Sequence, residues 1–142
     1  MTDHENREGR EGKTFDTLSH KVIGCAIEVH KSLGPGLLES TYQKCLSHEL
    51  SINQIEHVCE APLAIEYKGL ELDCGYRVDI LFPGQLILEL KSVKELDPIH
   101  EAQLLTYLKL SQIPIGILLN FNVTQLKSGL RRLSVELLPF SS

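Results

Sequence analysis

Two acidic residues and a lysine on neighbouring predicted strands are the residues of this sequence best suited to chemistry. Asp79 lies in a segment of alternating polar and apolar residues, and Glu89 and Lys91 share one face of the next such segment. A three-residue loop, Pro83-Gly84-Gln85, pairs Asp79 with Glu89 and Arg77 with Lys91, whereas a two-residue loop puts the carboxylates on opposite faces. We predict the three-residue loop because it keeps the apolar residues of both strands on one side.

Carboxylates that face each other repel unless a positive charge lies between them. A divalent cation satisfies this need, and hard oxygen ligands favour Mg2+ or Mn2+ over zinc. Lys91 adds a cation that can hold a nucleophilic water or offset negative charge on a phosphate. Glu39, on the same face of the second predicted helix as Tyr42, is expected to point into the structure as a third carboxylate.

The spacing Glu-x-Lys carries little information by itself, because it also occurs at Glu11/Lys13 and Glu66/Lys68. Only Glu89 follows an apolar strand and has an aspartate on the strand before it. A charged sheet face that is partly exposed to solvent stays open as the alternative interpretation.

Hydrophobic periodicity predicts an α/β (α+β) chain in the order ααβββαβ(α)β. Gly34-Pro35-Gly36 ends the first helix, and Asp97-Pro98 caps the third. The predicted helices run from about Leu18 to Leu33, Leu37 to Leu50 and Asp97 to Leu110, and the strands cover Glu56 to Tyr67, Asp73 to Phe82, Leu86 to Lys91, Ile115 to Phe121 and Arg132 to Leu137.

Length and composition indicate one domain over residues 14–142, because 142 residues and 15.9 kDa suit a single core. Residues 1–13 are polar and predicted to be a disordered tail. The net charge of -5 argues against a protein that coats nucleic acid through a general basic field, although a local basic groove stays possible. No apolar run suits a membrane helix or signal peptide, so we expect a soluble, cytoplasmic protein whose four cysteines are buried free thiols.

These residues together resemble the GxxExxY protein family, a branch of the PD-(D/E)XK nuclease-like superfamily. The similarity spans roughly residues 15 to 137 and combines several motifs, so it is more specific than any one of them. The matching segments are Gly36-Leu37-Leu38-Glu39-Ser40-Thr41-Tyr42, Tyr76-Arg77-Val78-Asp79, Glu89-Leu90-Lys91, Gln103 with Tyr107, and Asn120-Phe121, where Asn122 replaces the glycine of the family.

The resemblance implies a restriction-endonuclease-like core, with a mixed β-sheet flanked by helices and phosphodiester hydrolysis that depends on Mg2+. Asp79, Glu89 and the Leu90 carbonyl would be metal ligands and Lys91 the catalytic lysine. Glu39 would complete the acidic cluster as a further metal ligand, directly or through water. The resemblance also implies that Gln103 and Tyr107 orient Lys91 or the substrate phosphate.

Three further residues, Tyr42, Arg77 and His30, are expected to contact the substrate or to support the site. For His30 a structural role through a hydrogen bond is the favoured alternative. We therefore predict a nuclease that acts on DNA or RNA, with DNA favoured over RNA as the nucleic-acid partner, and with no membrane association. A non-catalytic module with the same fold, in a nucleic-acid or defence complex, is the alternative, and an interaction protein whose acidic face contacts a basic partner is the third.

Overall fold

Apolar residues at helical spacing build two helices that pack together, α1 (Asp3–Leu33) and α2 (Glu39–Ile52). The computed structural model describes the chain over residues 3–137, with side chains from Thr17 onward. α1 begins before the predicted start at Leu18, because apolar spacing marks only the part of a helix that packs. The division into a tail at residues 1–13 and a domain stays a prediction, since residues 1 and 2 and the side chains up to residue 16 lie outside the described part.

Seven strands, a third α-helix and a short 3₁₀ helix follow in the part of the chain that the structure describes. They are β1 (Val58–Pro62), β2 (Ile65–Tyr67), β3 (Leu70–Leu72), β4 (Arg77–Phe82), β5 (Leu86–Lys91), α3 (Pro98–Ser111), β6 (Ile115–Asn120), a short 3₁₀ helix (Leu126–Gly129) and β7 (Leu130–Ser134). The main sheet has the order β1-β4-β5-β6-β7. Among the described strands, only β5 and β6 pair in parallel, since α3 connects them. The mixed sheet with flanking helices confirms the predicted fold class.

The sheet separates two apolar clusters. Leu88 of β5 and Ile117 of β6 pack with the buried faces of α1 and α2. Ile87 and Leu118, which point to the other side, pack with Leu104 of α3. β5 is therefore covered on both faces, which holds the residues at its end in a fixed place.

The strand boundaries between α2 and α3 differ from the prediction. The single strand expected from Glu56 to Tyr67 is two strands, β1 and β2, and β2 pairs with the unpredicted β3 in a separate two-stranded sheet. The strand predicted from Asp73 begins only at Arg77, because the Asp73 side chain accepts a hydrogen bond from Gly75 N–H and closes a turn. The last strand begins at Leu130 rather than Arg132.

β4 also breaks the predicted alternation. Val78 was expected on the same face as Ile80, yet Val78 packs in the cluster beside α3 and Ile80 in the cluster beside α1 and α2. Asp79 lies between them, so the strand reverses its faces at this residue.

The cysteine prediction is correct for Cys25, which is buried, but wrong for Cys74, which is exposed in the turn before β4. All four thiols are free. Burial, followed by the charge of Glu49, raises the pKa of Cys25. Within the described residues, every helix is too short or too polar to cross a membrane.

Candidate active site

The hairpin of β4 and β5 has the register that the sequence predicted. Phe82 pairs with Leu86 and Ile80 with Leu88, so the loop contains three residues. Gly84 takes a left-handed φ of +73° in this loop, a conformation that glycine adopts without strain. The hairpin therefore directs Asp79 and Glu89 toward each other.

Regular pairing between the two strands ends at Ile80, and side chains continue the hydrogen bonding. The main-chain N–H of Asp79 donates to Glu89 Oε2 at 2.8 Å. The N–H of Leu90 donates to Asp79 Oδ2 at the same distance, 2.8 Å. The predicted pair of Arg77 with Lys91 does not form: Arg77 pairs with Pro62 of β1, because β4 departs from β5 at Asp79.

Burial raises the pKa of both acids, and the negative charges of neighbouring carboxylates add to the effect. Glu89 is 6% exposed, and burial together with the charge of Asp79 raises its pKa from 4.5 to about 8. Burial raises the pKa of Asp79 as well, and the charge of Glu60 adds to the effect. Hydrogen bonds from the main chain and the charge of Lys91 act in the opposite direction on both. The two carboxylates therefore do not both ionise readily at neutral pH without a further cation.

Lys91 ends β5 beside the two acids and is half-buried. Its positive charge lowers the pKa of Asp79 and of Glu89, yet no ion pair within 4.0 Å joins it to either acid among the described residues. Its carbonyl accepts the N–H of Phe121 at 2.8 Å, which fixes the main chain here. The ammonium group is thus close enough to act electrostatically on both acids, and among the described residues no ion pair uses it.

Glu39 lies at the edge of the site rather than inside it. The structure corrects the predicted inward direction, because Glu39 is the first residue of α2 and its side chain is exposed. Its Oε2 accepts the N–H of Ser92, the residue after Lys91, at 3.2 Å. Its charge contributes to the raised pKa of Asp79, so Glu39 belongs to the surroundings of the acids.

Tyr42 positions the start of α2 and is fully buried. Its hydroxyl donates to the carbonyl of Gly34 at 2.5 Å and accepts the N–H of Leu37 at 3.1 Å. Its ring stacks on Phe121 with centroids 4.4 Å apart. These contacts give Tyr42 a structural function. They also explain why Glu39 and Tyr42 occur at a fixed spacing in the motif, since the tyrosine holds the turn that places Glu39.

Tyr107 and Gln103 lie one turn apart on α3 but differ in their surroundings. Tyr107 is buried, and burial, then the charge of Glu89, raises the pKa of its hydroxyl. Gln103 is exposed, and among the described residues no hydrogen bond joins it to Lys91 or Glu89. The structure thus brings Tyr107 to the acids, while the role of Gln103 stays a prediction.

Arg77 and His30 make their described contacts elsewhere. The exposed guanidinium of Arg77 lies 3.9 Å from Asp73. His30 is buried, and its Nε2 donates to the carbonyl of Val123 at 2.8 Å, tying α1 to the loop after β6. The contact agrees with the structural alternative for His30.

Sequence reasoning missed three residues near the acids. Gln43 Nε2 donates to Glu60 Oε2 and to the Asp79 carbonyl, both at 2.9 Å. Asn120 is buried and exchanges hydrogen bonds with the main chain of Val93 at 3.0 and 2.9 Å, which fixes the loop after β5. Sequence signals pointed to two of the three: Gln43 shares a helix face with Glu39, and Asn120 opens the asparagine-phenylalanine motif.

The donor set fits a hard divalent cation. One carboxylate oxygen of each acid accepts a main-chain N–H, and the other oxygen takes part in no hydrogen bond among the described residues. The N–H of Leu90 points toward Asp79, and because N–H and carbonyl of one strand residue point the same way, its carbonyl points there too. Over the residues with described side chains, no group of three or more His, Cys, Asp or Glu is arranged for a metal. The carboxylates of Asp79 and Glu89 and the Leu90 carbonyl offer oxygen atoms, the donor type that a hard divalent cation prefers.

One of three comparisons with known proteins identifies a family for this chain. The family model of the PD-(D/E)XK nuclease superfamily matches residues 16–133, which include Asp79, Glu89 and Lys91. No curated protein and no solved structure matches the chain significantly. Because the match covers most of the 142 residues, the chain belongs to the PD-(D/E)XK nuclease superfamily.

Proposed function

We propose that this protein is a nuclease that depends on a divalent cation and hydrolyses phosphodiester bonds of DNA or RNA. The observation that supports it most is the contact of two acids, Asp79 and Glu89, beside Lys91 at the end of β5. Buried acids with raised pKa values cluster at functional sites, because a catalytic group needs a pKa that is matched to its task. The motif around Glu39 further supports membership of the GxxExxY branch.

Each residue of the site has a chemical task in this proposal. Asp79, Glu89 and the Leu90 carbonyl would hold Mg2+ or Mn2+. The cation, when bound, supplies Lewis-acid polarisation of the phosphate and lowers the pKa of the attacking water. Lys91 offsets the negative charge that develops on the phosphate oxygens. Tyr107 keeps its proton, because its pKa is raised, and its hydroxyl can donate a hydrogen bond in the site.

The test is a cleavage assay with the purified protein, Mg2+ or Mn2+, and single-stranded DNA, double-stranded DNA and RNA in parallel. We expect the wild type to cleave at least one of these substrates and the Lys91→Met variant to cleave none. Lys44→Met is the matched control, because Lys44 is an exposed lysine on α2. Equal product from the wild type and Lys91→Met, or no product from any substrate, would contradict the proposal.

A non-catalytic module with the nuclease fold is the second candidate. The exposure of Gln103, with no described hydrogen bond to Lys91, favours it, because a residue that orients the lysine is expected to touch it. Calorimetry separates the two candidates. Mn2+ binding that Asp79→Asn weakens, without cleavage of any substrate, would support the module, whereas turnover would exclude it.

A further inference from the structure

A glutamine on α2 contacts the main chain at the point where β4 departs from β5. Gln43 is half-buried, and its Nε2 donates to the carbonyl of Asp79 and to Glu60 Oε2, each at 2.9 Å. An amide nitrogen carries two protons, so both are used in these bonds. Gln43 thus connects a helix to the one strand residue whose carboxylate faces Glu89.

The strands around this contact are irregular. Glu60 stands opposite Asp79 in the register of β1 and β4, which pairs Cys59 with Ile80 and Ala61 with Val78. The backbone of Glu60 has a left-handed φ of +53°, a conformation that non-glycine residues rarely adopt. The irregularity of β1 therefore coincides with the reversal of faces in β4.

Both main-chain groups of Asp79 have side-chain partners. Its N–H donates to the carboxylate of Glu89, and its carbonyl accepts from Gln43. Strand residues normally exchange these bonds with a neighbouring strand. Gln43 supplies one of these two hydrogen bonds, so it helps to hold Asp79 where β4 departs from β5. In this position the Asp79 carboxylate accepts the N–H of Leu90.

We infer that Gln43 is a positioning residue of the site, which fixes the main chain of Asp79 so that its carboxylate stays on Leu90 N–H and beside Glu89. Its effect on cleavage rests on the proposed function, whereas its effect on Asp79 does not. If Gln43 only tied α2 to the sheet, its loss would lower stability throughout and leave the local geometry of the acids unchanged.

The first readout is amide hydrogen exchange in the cation-free protein, wild type and Gln43→Met. Methionine keeps the length of the side chain and removes both donors. We expect exchange at the Leu90 amide to become about tenfold faster, because its acceptor loses support, while exchange at Leu88 in the same strand stays constant. Equal Leu90 exchange in both proteins, or equal acceleration at Leu88, would overturn the inference.

The second readout is the Kd for Mn2+ alone, measured by calorimetry. Loss of a partner that orients a ligand typically costs about 10- to 100-fold in metal affinity, so Gln43→Met should raise the Kd by that factor. Gln85→Met, an exposed glutamine in the β4–β5 loop, is the matched control and should leave it unchanged. A Kd for Gln43→Met within about twofold of the wild type would contradict the inference.

A second variant covers the case in which Gln43→Met does not fold. Glu60→Ala removes one acceptor and leaves the bond of Gln43 to Asp79, so Leu90 exchange should stay close to that of the wild type. Acceleration at Leu90 in this variant would show that Glu60, and not Gln43, places Asp79. A wild type that binds no Mn2+ would refute the proposed metal site, and the exchange experiment would still decide the role of Gln43.

Discussion

The carboxylate of Glu89 accepts the main-chain N–H of Asp79 at 2.8 Å, in the place where a regular antiparallel ladder offers a strand carbonyl. The carboxylate of Asp79 accepts the N–H of Leu90 in the same way. The two acids therefore hold the end of the hairpin together and at the same time repel each other. Stability and cation binding should be linked through this pair.

The stability of the cation-free protein should fall as the pH rises from about 4.5 to about 8. Because the pKa of Glu89 is raised from 4.5 to about 8, the folded chain keeps a proton in this range that the unfolded chain has released. The free energy of unfolding decreases with pH wherever the folded state binds more protons. The raised pKa of Asp79 acts in the same direction. Thermal unfolding across this pH range, with chelator present, measures the slope.

Glu89→Gln is the control for this pH dependence. Its amide oxygen can still accept the N–H of Asp79, but the group no longer titrates. We expect a flatter slope and a Tm above that of the wild type near pH 8. A slope that Glu89→Gln leaves unchanged would contradict the assignment of the raised pKa to Glu89.

Millimolar Mg2+ or Mn2+ should raise the Tm of the wild type, because a ligand that binds only the folded state stabilises it. The shift should grow with pH, since protons compete with the cation for the two acids. Asp79→Asn should lose most of this shift, yet fold as well as the cation-free wild type or better, because one of two repelling acids is gone. Differential scanning fluorimetry measures both. A Tm several degrees lower for cation-free Asp79→Asn would count against the repulsion.

Tyr42→Phe should lower the free energy of unfolding by about 1–3 kcal/mol, the usual cost of leaving buried polar groups without partners. The variant keeps the stacking on Phe121 and loses the hydrogen bonds to Gly34 and Leu37. Urea denaturation measures the change. A loss below about 0.5 kcal/mol would show that the hydroxyl does not hold the turn before α2.

Two glycine substitutions should change stability in opposite directions. A Cβ at Gly129 would lie 2.3 Å from the carbonyl oxygen of Asn120, so Gly129→Ala should cost about 1–3 kcal/mol. A Cβ at Gly24, which lies exposed in α1, meets nothing within 4 Å. Gly24→Ala should therefore stabilise the protein by about 0.5–1 kcal/mol through helix propensity. Changes of the same sign in urea denaturation would contradict this comparison.

The sequence by itself determined the hairpin that carries the acids. Strand alternation and the three-residue loop set the register of β4 and β5, because slipping by one residue would move every side chain to the other face of the sheet. Local capping likewise determined where α3 begins, since Asp97 precedes Pro98. Both signals depend on residues close together in the chain, so they can be recognised without the fold.

Only the tertiary structure decided the departure of β4 from β5 at Asp79 and the surroundings of that residue. Gln43 is 36 residues away from Asp79 in the chain, and its hydrogen bond depends on how α2 packs on the sheet. The exposure of Glu39 and of Gln103 also depends on tertiary packing. The spacing of residues in a helix predicts which of them share a face, but not which part of the protein covers that face. Residue types and spacing thus selected Asp79, Glu89 and Lys91, and packing between distant elements determined which other residues contact them.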